Sequence, residues 1–238
     1  MSSNIILIGE KYADRLEKPL ERLGFEPLYV PDNPDVDERL SGHVDLSVFY
    51  DGEKRLYLAP FLKSSELVFQ LKKLGFSTIF PKFLQNSSYP QDAQLNIRSF
   101  GNTCIYSEKV SCREIVDTLA LRGLTMIPVR QGYCGCSVCA VDERSIITAD
   151  PGIHRTAIAH GLDSLLIRPG HIVLDGFEYG FLGGATFMLS ETQLAFTGVL
   201  RRHPDEEKIL DFLKNHGKEP VFLTDEPIFD IGSAIPLT

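Results

Sequence analysis

Two short segments of this chain hold the side chains best able to do chemistry, Gly42-His43-Val44-Asp45 and Gln131-Gly-Tyr-Cys134-Gly-Cys136-Ser-Val-Cys139. The first sets an imidazole, which changes charge near neutral pH, two residues from a carboxylate. The second carries three of the five cysteines, and a thiol can serve as a nucleophile, a metal ligand, half of a redox pair or a small apolar side chain. Read as a regular strand, this segment turns Cys134 and Cys136 to one face and Cys139 to the other, so three thiolates do not converge on one ion without a bulge. A redox Cys-x-x-Cys needs a helix N-terminus to depress its thiol pKa, whereas Ala140-Val-Asp-Glu-Arg144 and then a strand follow here. Packing comes first for the cluster, one catalytic thiol second and a metal third; no metal and no cofactor is assigned. His43 reads equally well as a hydrogen-bonded histidine, and Asp45 as a turn or cap residue. Cys104 and Cys112 have no partner motif and read as core.

The elements that must position these residues repeat. Five times an amphipathic helical stretch runs into a glycine and then a short apolar strand, at Gly24, Gly75, Gly123, Gly161 and Gly217. Glycine suits the position after a helix because it takes positive φ without a Cβ clash and lets the chain turn back. The strands that follow are expected over 27–30, 78–80, 125–129, 164–167 and 220–223. Between the helices, Gly42 to Phe49 aligns without gaps to Gly132 to Cys139 and to Gly180 to Phe187. Each is followed by a polar turn and a second strand, so the unit reads as a hairpin. A weaker copy runs through Ala93 to Ile97 and Cys104 to Ser107, and a fifth is completed by pairing Phe229 to Pro236 with Asn4 to Ile8. The expected architecture is α/β, a five-bladed pseudo-symmetric propeller of ββαβ repeats closed by the N- and C-terminal strands. It forms one domain over 1–238, with blades near 34–85, 86–130, 131–178, 179–222, and 223–238 plus 1–33.

Helix starts are punctuated by Ser111-Cys-Arg-Glu114, a capping box, by Asp150-Pro151, and by Pro204-Asp-Glu-Glu207. Ser64 is expected to cap 66–74, and Pro19 to mark the start of a short first helix. If His43 and Asp45 lie on a strand they share a face, and repeat equivalence puts Gly135, Ser137 and Cys139 on that face in the third unit. Cys139 is therefore the leading nucleophile candidate and Cys136 the second. Asp92, Asn96, Glu178 and Asp230 sit near the starts of unit strands, where their oxygens could bind a cation, although Asp92 after Tyr89-Pro90 also reads as a turn residue.

The chain carries 24 basic and 32 acidic residues for a net charge of −8, with no basic run to track a phosphate backbone, so nucleic acid is not an expected partner. No stretch approaches the ~20 apolar residues of a membrane span, and the start lacks a basic n-region, so no membrane partner and a cytoplasmic location are expected. An odd cysteine count fits free thiols in a reducing compartment. Gly180-Phe-Leu-Gly183-Gly184 precedes a strand, not a helix, which excludes a dinucleotide loop and favours close backbone packing.

Five strand-strand-helix-strand units with chain ends sharing a blade resemble the pentein, or guanidino-group-modifying, superfamily, and within it uncharacterised bacterial members. That superfamily includes arginine and agmatine deiminases, dimethylarginine hydrolases, amidinotransferases and a non-catalytic ribosome anti-association initiation factor. Gly42-His43-Val44-Asp45 is similar to the family's His-x-Asp segment. The resemblance implies His43 as general acid/base and Asp45 as guanidinium holder. Gly183-Gly184-Ala-Thr-Phe187 resembles the glycine pair before the family's nucleophilic cysteine, but no cysteine follows it. Two functions are thus expected in parallel. One is a non-catalytic protein binding a small molecule or protein partner through its central cleft or rim. The other is a thiol-dependent hydrolase, deiminase or amidinotransferase acting on a guanidino or amidino compound.

Overall fold

The computed structural model describes residues 4–82 and 88–237. In chain order its regular elements begin with β1 (Asn4–Gly9), α1 (Ala13–Arg22), β2 (Phe25–Val30), β3 (Val48–Tyr50), β4 (Arg55–Leu58), α2 (Glu66–Lys73) and β5 (Ser77–Ile79). There follow β6 (Arg98–Phe100), β7 (Thr103–Ser107), α3 (Arg113–Leu121), β8 (Thr125–Val129), α4 (Cys134–Ser137), β9 (Cys139–Ala140), β10 (Ser145–Thr148), α5 (Pro151–Ala159) and β11 (Asp163–Leu166). The last are β12 (Thr186–Met188), β13 (Gln193–Phe196), α6 (Glu206–Asn215), β14 (Glu219–Phe222) and β15 (Ile235–Leu237).

The strands make five three-stranded sheets. In each, the middle strand is antiparallel to one neighbour and parallel to the other: β4 between β3 and β5, β7 between β6 and β8, β10 between β9 and β11, β13 between β12 and β14, and β1 between β15 and β2. A parallel neighbour requires a crossover, and α1, α2, α3, α5 and α6 supply it. Each crossover helix ends at its expected glycine, and Gly24, Gly75, Gly123, Gly161 and Gly217 all have φ between +65° and +87°. Four of the five would meet nothing within 4 Å if a Cβ were added, so backbone angle, not crowding, calls for glycine there. The chain-end sheet pairs Ile5–Leu7 with Ile235–Leu237, a shorter partner strand than the 229–236 expected.

Several helix starts differ from expectation. Helix α1 begins at Ala13 and carries Pro19 inside it, losing one backbone bond but keeping Leu16 and Leu20 buried. No side chain caps α3; the Ser111 hydroxyl instead accepts from the Ser107 amide. Ser65, not Ser64, precedes α2, and its hydroxyl donates to the Leu62 carbonyl. Asp150 does cap α5, accepting from the amides of Gly152 and Ile153.

The middle strands explain the core. Successive side chains on a strand point to opposite faces, and here both faces are covered. Ile5 and Leu7 enter one cluster with Leu56, Leu58, Leu67 and Leu71, while Ile6 and Ile8 enter another with Leu16, Leu20, Ala195 and Phe229. The same alternation splits Leu56 and Leu58 from Tyr57 and Ala59, Cys104 from Ile105, Ile146 from Ile147, and Leu194 and Phe196 from Ala195. Each of these five clusters therefore joins two successive sheets, and the series returns from the fourth sheet to the one made by the chain ends. Two-sided burial is why the middle strands read as apolar runs without polar alternation. Among the described residues no helix is long and apolar enough to cross a membrane.

Candidate active site

The three segments that align from Gly42, Gly132 and Gly180 share a shape, but it is not the uninterrupted strand expected of them. Each makes one helical turn before its strand: Val44–Leu46 before β3, α4 before β9, and Gly183–Ala185 before β12. A regular strand would carry the backbone straight past its neighbours. The turn instead brings polar side chains and bare backbone together where the units meet.

His43, Asp45, Asn96, Cys136 and Asp230 converge there, all buried. Cys136 Sγ lies 2.9 Å from Asp45 Oδ2, with the thiol as donor. Asn96 brackets the same residue: its Oδ1 accepts from the Cys136 amide at 3.1 Å and its Nδ2 donates to Sγ at 3.3 Å. Asp230 is held by the Phe181 amide at 2.8 Å and the Gly232 amide at 2.9 Å, and its Oδ1 stands 4.0 Å from His43 Nδ1. His43 Nε2 and Asp45 Oδ1 are buried with no hydrogen-bond partner among the described residues. Two unsatisfied polar atoms in one buried cluster are costly unless a ligand completes them.

Glycines make the convergence possible. A Cβ on Gly184 would lie 2.0 Å from Asp230 Oδ1, one on Gly135 2.9 Å from Asn96 Oδ1, and one on Gly232, at φ +67°, 2.5 Å from His43 Cβ. Gly183 packs against the backbone carbonyls of Cys136 and Val138. Arg98 ties the turns together, donating through Nη2 to the Gly135 carbonyl and, at 3.2 Å, to the Gly183 carbonyl.

The electrostatics follow from burial and from two carboxylates in one place. Burial, reinforced by Asp230, pushes the Asp45 carboxyl up to about 7, against the opposing pull of the Cys136 thiol, Arg98 and Asn96. Burial and then the Asp45 and Asp230 charges hold the Cys136 thiol well above its ordinary value. Burial lowers His43 and keeps its ring neutral, with Asp230 pulling the other way. The site thus rests with a protonated thiol and a neutral imidazole, and it has a deficit of positive charge.

Cys139, the leading candidate from sequence, sits elsewhere. It packs with Val141, Ile147 and Phe196 in an apolar cluster, and burial pushes its thiol up to about 11. The strand assumption behind its assignment fails because α4 rotates the segment. Position 135 does face Asp45, but the next thiol in reach is Cys136. Cys134 goes to a third environment, with Ile105 and Ile153. Asp92 is buried one layer behind the site, where its Oδ2 accepts from the Tyr133 hydroxyl at 2.6 Å. Glu178 is exposed. Sequence reasoning missed Tyr133 and Arg98. Tyr133 occupies the position the repeat alignment pairs with His43, a signal that was present.

The sequence profile of one family, described as a family of unknown function (DUF6873), matches residues 7–235. The chain belongs to this family. No curated protein matches it. Among solved structures, a dimethylarginine dimethylaminohydrolase bound to 4-chloro-2-hydroxymethylpyridine superposes with a TM-score of 0.59 at 10% identity, covering 98% of this chain and 99% of that one. A C249S dimethylarginine hydrolase from Pseudomonas aeruginosa complexed with citrulline gives 0.54 at 9% identity over 93% and 92%. An amidinotransferase of saxitoxin biosynthesis from Microseira wollei gives 0.53 at 12% over 92% and 88%. The fold is that of the penteins.

In this DUF6873 protein two cavities approach the cluster. One, of about 310 Å³, reaches His43, Cys136 and Asp230 and has Glu178 at its lining. The other, about 900 Å³, reaches Asp45, Gly135 and Arg98 and is lined also by Phe187. Phe187, which could have plugged the site, packs with Ala195 and Phe229 instead. His43, Asp45 and Cys136 each offer one donor atom, all within 4.8 Å of one another, a set whose chemistry also suits zinc.

Proposed function

We propose that this protein is a thiol-dependent enzyme acting on a small guanidino or amidino compound, with Cys136 as nucleophile, His43 as proton carrier, and Asp45 and Asp230 as the carboxylates that bind the cation. The observation that carries the reading is the meeting of Cys136 Sγ and Asp45 Oδ2 at 2.9 Å beside a neutral, buried His43 and a second carboxylate. In this reading the five sheets are blades of one ring with boundaries near those expected from sequence, and the site lies on its axis. Solved structures that share the fold include an agmatine deiminase with substrate bound and the hydrolase complexed with citrulline, both guanidino chemistry of the kind proposed.

The residues present supply each step. A planar cation settling against Asp45 and Asp230 cancels the charges that hold the Cys136 thiol protonated, so its proton can leave to His43. The thiolate then forms a C–S bond to the electron-poor carbon. The C–N bond to the leaving amine breaks as that nitrogen takes the proton from His43. The thiouronium left on Cys136 is resolved by water, or by an acceptor amine, which gives up a proton to His43 and releases the thiol. Asn96 positions Cys136 through both its backbone and its sulfur.

A second reading, binding of a metabolite or protein partner without turnover, is favoured by the protonated state of Cys136 and by the lack of a cysteine after Gly184. Alkylation separates the two. Chloroacetamidine, a cation, and chloroacetamide, its neutral isostere, are applied at pH 7 and Cys136 is followed by peptide mass spectrometry, with a small free thiol correcting for intrinsic reactivity. The enzyme reading expects an excess of about tenfold or more for the cation, the scale of a charge-assisted contact, lost in Asp230→Asn. Equal corrected rates, or labelling spread over all cysteines, leave the binding reading.

A further inference from the structure

Beyond the reacting head, a ligand at Cys136 would extend into the cavity that His43, Cys136 and Asp230 border. Its wall is built of Leu40, Leu46, Leu174, Tyr133, Phe177 and Tyr179, apolar bodies with two hydroxyl tips. With His43 and Cys136 neutral, the charged side chains lining it are both acidic, Asp230 and Glu178. No lysine or arginine among the described residues lines it.

Three basic residues stand near the cluster and all are engaged, Arg98 on the Gly135 and Gly183 carbonyls. Arg39 places its guanidinium 4.2 Å from the centre of the Phe177 ring, but its nitrogens are spent on both oxygens of Asp37 and on the Gly176 carbonyl. Lys11 donates to the backbone carbonyls of Glu38 and Arg39. The tail of an α-amino acid would therefore bring its carboxylate into an apolar, acidic pocket with no cation to meet it, an arrangement that costs affinity. An uncharged or cationic tail meets aromatic faces and Glu178, both of which favour it.

We infer that this site takes guanidines or amidines whose tail carries no carboxylate, and discriminates against arginine-type amino acids. This rests on the proposed reading of Cys136 and its carboxylates as a guanidinium site. A cavity of about 310 Å³ lies at the small end of the usual range for ligand pockets, which fits a head and a short alkyl or aryl tail.

The test is protection of Cys136 in the full-length protein from chloroacetamidine by butylguanidine, agmatine, arginine and arginine amide. Butylguanidine, agmatine and arginine amide are expected to protect at concentrations about tenfold or more below arginine, the scale of one unpaired buried polar group. Glu178→Arg is expected to narrow or reverse the gap between arginine and its amide. Arginine protecting as well as its amide in the unaltered protein, or a gap unmoved in Glu178→Arg, overturns the inference while the guanidinium reading stands. Failure of all four to protect overturns that reading, and the inference with it.

Discussion

Asp45→Asn should make this protein more stable, by a margin that opens as pH rises from about 4 toward 7 and persists above it. In the folded chain burial and Asp230 bring the Asp45 carboxyl up to about 7, whereas in the unfolded chain it titrates near its ordinary value of about 4. Below that ordinary value both states hold the proton and the group contributes nothing. As pH rises toward 7 the unfolded chain ionises freely while the folded one resists, so stability falls across this window and stays low above it. A difference of about three pH units corresponds to about 4 kcal/mol at full ionisation, an upper figure because Asp230 and Cys136 readjust when Asp45 ionises. Asparagine keeps the shape and can still accept from the Cys136 thiol, but it has no charge to bury. The difference in unfolding free energy between Asp45→Asn and the unaltered protein should be near zero at pH 4 and grow to about 2–4 kcal/mol in favour of the variant by pH 8. Urea titrations across pH 4 to 9 measure it, and taking the difference cancels every other titrating group that does not touch Asp45. A difference that does not change with pH, or that grows toward acid, refutes the electrostatic account of the site.

Two further expectations concern the same cluster. Gly184→Ala, whose Cβ would fall 2.0 Å from Asp230 Oδ1, should cost about 1–3 kcal/mol by overpacking and dislodge Asp230. Gly123→Ala, strained only by its φ of +85°, should cost about 1 kcal/mol and leave Cys136 labelling untouched; equal loss of labelling in both would mean that Gly184 has no special place. Binding of butylguanidine at pH 7 should release up to about half a proton, because a carboxyl titrating near 7 is then half protonated and the cation displaces that proton. Calorimetry in buffers of differing ionisation heat reads this directly, and an enthalpy indifferent to buffer contradicts it.

The repeat was legible because its physics is local. A positive-φ glycine after an amphipathic helix and an apolar strand after the glycine are each written in a few adjacent residues, and β8 matches its expected span of 125–129 residue for residue. The site was only half legible. His43, Asp45, Asn96, Cys136 and Asp230 are all candidates on sequence, but a two-residue period favours Cys139 over Cys136, and this segment makes a helical turn instead. Nothing local forbids a strand through Tyr133 to Cys139. The turn is imposed from outside, by Asn96 accepting the Cys136 amide and by Gly135 fitting against Asn96 and Asp45. Contacts at a sequence distance of 40 or 91 residues do not announce themselves in a window of ten.

Because alternate side chains of every middle strand belong to different apolar clusters, no sheet has a core of its own, and loosening any one deprives both neighbours. Such a molecule should open all at once or hardly at all, with amide exchange in β1, β4, β7, β10 and β13 slowing to a common rate. Selectivity is then free to vary only where this mutual dependence ends. The stretch between β11 and β12, from 167 to 182, contains no regular element, yet it carries Leu174, Phe177, Glu178, Tyr179 and Phe181 to the cavity wall. Substitutions there can retune which tail is accepted without disturbing the cysteine, the histidine and the carboxylates that the scaffold holds still.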